Sequence, residues 1–254
     1  MNALGTALLA FGITLLGAFG GVALRRALPE QHLGDETKDM LRLGAGLIGT
    51  IAALVLGLLI ATAKSEYASL SGHVQHLTAD VILLDQLLAQ YGPEATPARE
   101  VLRQALDPLV ERIWQEGRTG AANRPFEMTK SGEQVILRVI VKIEQLTPQN
   151  EIQRMFRDRS VNIANDAAQT RLILFEQSDN AIPVPFLAVL IFWLSIIFSS
   201  FGMFSRVNTT AVAGLIIFSA SAAGALYLVL DLSSPFTGLM QIPSAPLRNA
   251  LAPL

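Results

Sequence analysis

The 254-residue chain has no cysteine, which excludes disulfides, thiolate nucleophiles, iron–sulfur clusters and Cys-type zinc sites. It has three histidines, and no HExxH, nucleophile elbow, P-loop or GxGxxG fingerprint accompanies them. The chain is therefore read as a non-enzyme without a cofactor. Nineteen basic residues against 21 acidic ones give a net charge of −2, so there is no basic surface for nucleic acid. No segment alternates apolar and polar side chains in the manner of a half-buried strand.

Charge is missing altogether from four stretches, 4–24, 43–63, 184–204 and 209–230. Each is long enough for the roughly 20 apolar residues that a bilayer-crossing helix needs. The rest of the chain is about 24% charged, the usual value for soluble protein. This predicts an all-α, four-span membrane protein. Residues 1–63 form a first transmembrane hairpin, 64–182 a soluble helical bundle and 183–230 a second hairpin. A proline-rich tail follows over 231–254, either at the membrane interface or packed on the bundle. The first stretch is read as a span and not as a cleaved signal peptide, since Arg25 and Arg26 follow it where a small-residue cleavage site would stand.

Between apolar spans the lipid supplies no hydrophobic drive, so small residues mark close helix contact. Gly12, Gly17, Gly20 and Gly21 suit this in the first span, and Gly49, Ala53 and Gly57 in the second. From the second span the chain continues without a helix breaker to Gly92-Pro93, predicting one continuous helix about 70 Å long at 1.5 Å per residue. Its outer part carries Tyr67, Leu70, Val74, Leu77, Val81, Leu84, Leu88 and Tyr91 in alternating steps of three and four. That is a coiled-coil seam, which must be covered by this chain's own helices or by a neighbouring subunit. The expectation is an oligomer seam. Further helices are expected over 97–115, where Asp107-Pro108 either kinks the helix or starts a new one, after a Ser131/Gln134 capping box, and over 150–177. A loop is expected at 117–125.

The tail residues Asp231, Pro235, Phe236 and Gly238, with Ser244-Ala245-Pro246-Leu247, resemble the closing motif of a bacterial membrane family labelled bestrophin-like. The segment from Leu83 to Glu94, followed by Arg99 and Leu102, agrees with it, as do Pro185-Phe186-Leu187, Phe192-Trp193, Phe198 and Phe201-Gly202. The resemblance implies four spans, a soluble region between the second and third, and a distant likeness to bestrophin anion channels. A homo-oligomer in the lipid bilayer, conducting a small inorganic ion, is the function it implies. The alternatives are a non-conducting scaffold or signalling subunit, and a stator-like energy-transducing subunit. The spans lack the ionisable relay residue that proton-driven machines carry.

Three constellations stand out. Glu66, His73, His76 and Asp80 share one side of a helix. Their chemistry suits zinc or nickel, but a single helix would supply every ligand, so no metal is assigned and a polar flank of the seam is the alternative. Gly46, Thr50, Ala53 and Gly57 form a small, weakly polar face, the expected pore lining, with Lys64 and Glu66 at one mouth and Arg42 at the other. Asp231, ending the fourth span, is either functional or a turn-capping group. Arg25, Arg26, Lys38, Arg42 and Arg206 lie on the side of the short loops, against Lys64, Arg171 and Arg248 on the other. The positive-inside rule thus places the soluble bundle outside the cytoplasm, whereas the bestrophin resemblance implies the reverse.

Overall fold

The computed structural model describes residues 3–27, 29, 34–119, 130–177, 182–204 and 208–250. Among these every regular element is helical. They are α1 (Ala3–Ala27), α2 (Asp35–Tyr91), a 3-10 turn (Pro93–Ala95), α3 (Thr96–Thr119), α4 (Lys130–Glu144), α5 (Glu151–Gln177), α6 (Val184–Phe204), α7 (Thr209–Leu232) and α8 (Ala245–Arg248). Arg206, most of the 117–125 loop and the side chains of Ser131, Gln134 and Asp107 lie outside the described residues.

Four helices, α1, α2, α6 and α7, are long and apolar enough to cross a membrane. The second begins at Asp35, ahead of its apolar run. The polar residues before Leu43 propagate the helix because Glu36 sits in its first turn, where an acid complements the macrodipole, and Arg42 pairs with Asp39 one turn back at 3.6 Å. Likewise Pro108 stands inside α3, which continues through it to Thr119.

The chain divides into two compact units, one of Met1–Ser65 with Ala181–Ser233, the other of Glu66–Asn180 with Ser234–Leu254. In the first, α1 packs along α6 and α7. Backbones nearly touch where Gly21 meets the Ser199 carbonyl and Gly202 meets the Ala18 carbonyl; a Cβ at either position would collide with main chain. A Cβ added at Gly12 or Gly20 would meet nothing within 4 Å, so of the four glycines expected to mediate contact, Gly17 and Gly21 do so. Ala10, Ala52, Leu187, Leu190, Ile191 and Leu226 form the apolar core of this unit, with Trp193 packed against it. Asn208 caps α7, its Oδ1 accepting the Ala211 N–H at 2.7 Å.

The second unit is a bundle built around the outer part of α2. Leu70, Val74, Leu77 and Val81 form one core cluster with Leu106, Val110 and Ile113 of α3, Ala167 and Leu174 of α5, and Phe236, Ile242 and Leu247 of the tail. Leu84, Leu88 and Tyr91 form a second with α3, α4 and α5. Most of the expected oligomer seam is covered within the chain: from Leu70 to Tyr91 the stripe is buried by the chain's own helices and tail, Leu77 being 1% exposed, while Tyr67 is half-buried. The tail also settles on the bundle. Its Ile242 carbonyl accepts the Trp114 indole N–H at 2.8 Å, and Phe236 meets the Trp114 ring edge-on at 5.5 Å. Asn150 caps α5, its Oδ1 accepting the Gln153 N–H at 2.8 Å.

Candidate functional site

The expected pore-lining face is open within the chain. Gly46, Thr50, Ala53, Gly57 and Lys64 are all exposed, and Glu66 is half-buried. Only 6% of the most apolar window of α2 is buried, against 22–28% for the other three spans. The small-residue stripe of Gly49, Ala53 and Gly57 does little packing inside the chain: a Cβ added at Gly49 would lie 3.8 Å from Ile197 Cδ1, and one at Gly57 would meet nothing within 4 Å. What packs is the flank of the helix next to Gly49, through Ala52 and Ala63. The Thr50 hydroxyl donates back to the Gly46 carbonyl at 3.0 Å. Its proton is thus used inside the helix, and its remaining lone pairs are what the face offers. At the short-loop end, the Arg42 guanidinium lies 5.8 Å from the centre of the Phe204 ring, a cation–π contact that ties α2 to the end of α6.

In the stripe of Glu66, His73, His76 and Asp80, two of the four side chains pair. His76 Nδ1 lies 3.0 Å from Asp80 Oδ2, an i,i+4 pair, but among the described residues no three His, Asp or Glu side chains gather to hold an ion. The serine hydroxyls of the spans divide. Ser221 donates back to Ile217 at 2.9 Å, Ser195 and Ser199 line the crossing with Gly17 and Gly21, and Ser219 is fully buried with no hydrogen-bond partner. Arg154 and Arg157 pair with Glu151 and Asp158 on the surface of α5.

Asp231 is 2% exposed and accepts a hydrogen bond at 3.3 Å from the Tyr227 hydroxyl, one turn back on α7. Sequence reasoning passed over Tyr227, although Tyr and Asp four apart share a helix face. Pro235 is buried, Phe236 is a core residue of the bundle, and Gly238 has a φ of +89° in an exposed turn. Beyond the spans, Arg99 makes two parallel hydrogen bonds to Asp85, each 2.8 Å. That carboxylate holds the Arg99 pKa above its ordinary value, by hydrogen bonding first and against the opposing effect of burial. The fork joins α2 to α3 across the Gly92-Pro93 corner. The corner is further held by Gln153 Nε2, which donates to the Tyr91 carbonyl at 3.0 Å. The Tyr91 hydroxyl is buried without a partner, and burial, helped by the charge of Glu94 and opposed by Arg157, raises its pKa. Both Asp85 and Arg99 stand in the motif segments, but the ion pair was not foreseen, since it forms across a turn and not within a helix.

None of these groups forms a nucleophile–base pair or a phosphate cradle. One unit is a helical bundle; in the other, with its long apolar helices, α2 presents a bare face. Solved structures share the architecture. A bacterial bestrophin homologue from Klebsiella pneumoniae carrying a point substitution aligns with a TM-score of 0.69 at 13% identity, covering 95% of this chain and 94% of that one. A structure of the same homologue phased with zinc aligns at 0.65 and 13% identity over 96% and 93%. A further membrane protein aligns at 0.71 and 14% identity over 95% and 94%. Among curated proteins no match is found. The bestrophin-like domain matches residues 12–247, nearly the whole of the chain just described, and the protein belongs to the bestrophin-like family.

Proposed function

We propose that the protein is a homo-oligomeric ion channel in which copies of α2 turn their bare face to a central axis. The observation that carries this reading is the exposure of Gly46, Thr50, Ala53 and Gly57 on the least covered of the four spans. The same ladder continues along the helix through Ala68, Gly72, Gln75, Ala79 and Gln86, all exposed and none charged. A solvated helix ordinarily exposes charge; a helix facing its own copies around a narrow path has reason not to. The membership of the family and its likeness to bestrophin folds support the same reading.

The wall has one hydroxyl and no charge, so it does not select ion sign. That role falls to the mouths. Arg42, held by Phe204 and Asp39, and Lys64 stand at the two ends of the lining stretch, and both are exposed and basic. Rings of cations there raise the local concentration of anions. The protein reconstituted in planar bilayers should carry current, and Lys64→Glu should move its reversal potential toward that of cations. Absence of current in the parent protein would favour a non-conducting scaffold. The basic residues on the short-loop side support an orientation with those loops in the cytoplasm; a reporter fused after Leu254 and active only in the cytoplasm should then be silent.

A further inference from the structure

Within the strap 234–250, residues Pro235 to Ile242 close a loop. The Ile242 N–H donates to the Pro235 carbonyl at 2.7 Å, Phe236 and Ile242 are both sunk in the bundle core, and Trp114 holds the Ile242 carbonyl. The loop is pinned at both ends. At its tip, after the positive-φ turn at Gly238, stand Leu239 at 82% exposure and Met240 at 44%. Leu239 is the most exposed large apolar side chain among the described residues. A flexible tail would turn such side chains inward at little cost; a pinned loop holds them outward.

We propose that Leu239 and Met240 are a membrane-interface anchor, inserted among the lipid headgroups and the first acyl carbons. Three observations select lipid as the occupant. Leu239 follows the end of α7 at Leu232 by seven residues, which limits its distance from that end to about 24 Å at ~3.4 Å per residue. Residues 232–247 contain no charged side chain, so immersion desolvates no ion, and exposed Arg248 directly after them suits the phosphate layer. The tip is also too small for a subunit contact: two side chains fall far below the roughly 1,200 Å² that a stable protein interface buries. A bilayer interface takes up apolar side chains in proportion to their area, without such a threshold.

The absence of cysteine allows a direct test on the full-length protein in phosphatidylcholine vesicles. Bimane attached to Leu239→Cys, and separately to Met240→Cys, should emit at shorter wavelength than bimane at Ile152→Cys. Ile152 is also exposed and apolar but sits at the start of α5, beside Gln153 and the far end of α2. Lipids bearing a nitroxide near the headgroup should quench the tip labels strongly and the Ile152 label weakly, while aqueous iodide does the reverse. Tip labels quenched by iodide and untouched by nitroxide lipid would overturn the proposal. Pyrene excimer emission from labelled Leu239→Cys without lipid quenching would overturn it too, by showing a second copy as the occupant.

Discussion

Leu77 offers the sharpest test of how the bundle is held. It is fully buried among α3, α5 and tail side chains of the same chain, so Leu77→Ala removes buried methyl groups and leaves a cavity. Such truncations cost about 3 kcal/mol, within a range of roughly 2–5. With a urea dependence of about 2 kcal/mol per M, the unfolding midpoint should fall by about 1.5 M. Trp114 lies in the same cluster and reports this transition by fluorescence. The only other tryptophan, Trp193, is removed as Trp193→Phe in both the parent and the variant. The difference between the two proteins should be unchanged when the detergent-solubilised sample is diluted a hundredfold. Were the stripe covered by neighbouring subunits, dilution would uncover it, and a linkage of about 2.7 kcal/mol per hundredfold change would be lost. A Leu77→Ala penalty that vanishes on dilution would refute the intramolecular core.

Other outcomes follow from the same contacts. Tyr91→Phe removes a buried hydroxyl that has no partner and should stabilise the bundle by about 1 kcal/mol. Because the folded-state pKa of Tyr91 is raised, its contribution holds below the ordinary value near 10 and is lost as pH rises through the higher folded value. The phenylalanine variant should lack that alkaline loss, as urea titrations at pH 8 and 11 would show. Arg99→Ala breaks a bidentate pair whose side chains are 30% and 16% exposed, between surface and interior, so a cost of about 2 kcal/mol is expected; Arg99→Lys should recover only part of it, for want of the second parallel bond. Gly21→Ala drives a methyl into the Ser199 carbonyl, an overpacking that costs about 1–3 kcal/mol. Its thermal midpoint in detergent should drop, while Gly12→Ala, with open space around it, should leave the midpoint in place.

The four helices able to span a membrane were legible because a bilayer imposes one length and one composition on anything that crosses it. The continuous α2 was legible because nothing between Leu43 and Tyr91 breaks a helix. What covers its seam was not. Periodicity shows that Leu77 and Leu84 must be buried, but an a/d stripe looks the same whether the partner is α3 of the same chain or a second subunit. Small residues carried the same ambiguity. A Cβ at Gly21 or Gly202 would strike main chain, whereas one at Gly12 or Gly57 would meet nothing within 4 Å, and only the crossing of the helices separates them. The Asp85–Arg99 fork and the Trp114–Ile242 bond join residues 14 and 128 positions apart, beyond the reach of any local pattern. The tail was recognisable from its motif residues, but the role of Phe236 as a core side chain required the bundle around it.

The central claim is that the exposed face of α2 lines an ion path, and Thr50 stands in the middle of that face. Since the chain has no cysteine of its own, Thr50→Cys provides one addressable thiol. In planar bilayers, a bulky charged methanethiosulfonate added to the Thr50→Cys protein should reduce the current irreversibly and leave the parent current unaltered. A current that persists unchanged after the thiol is shown to be fully modified would contradict the claim.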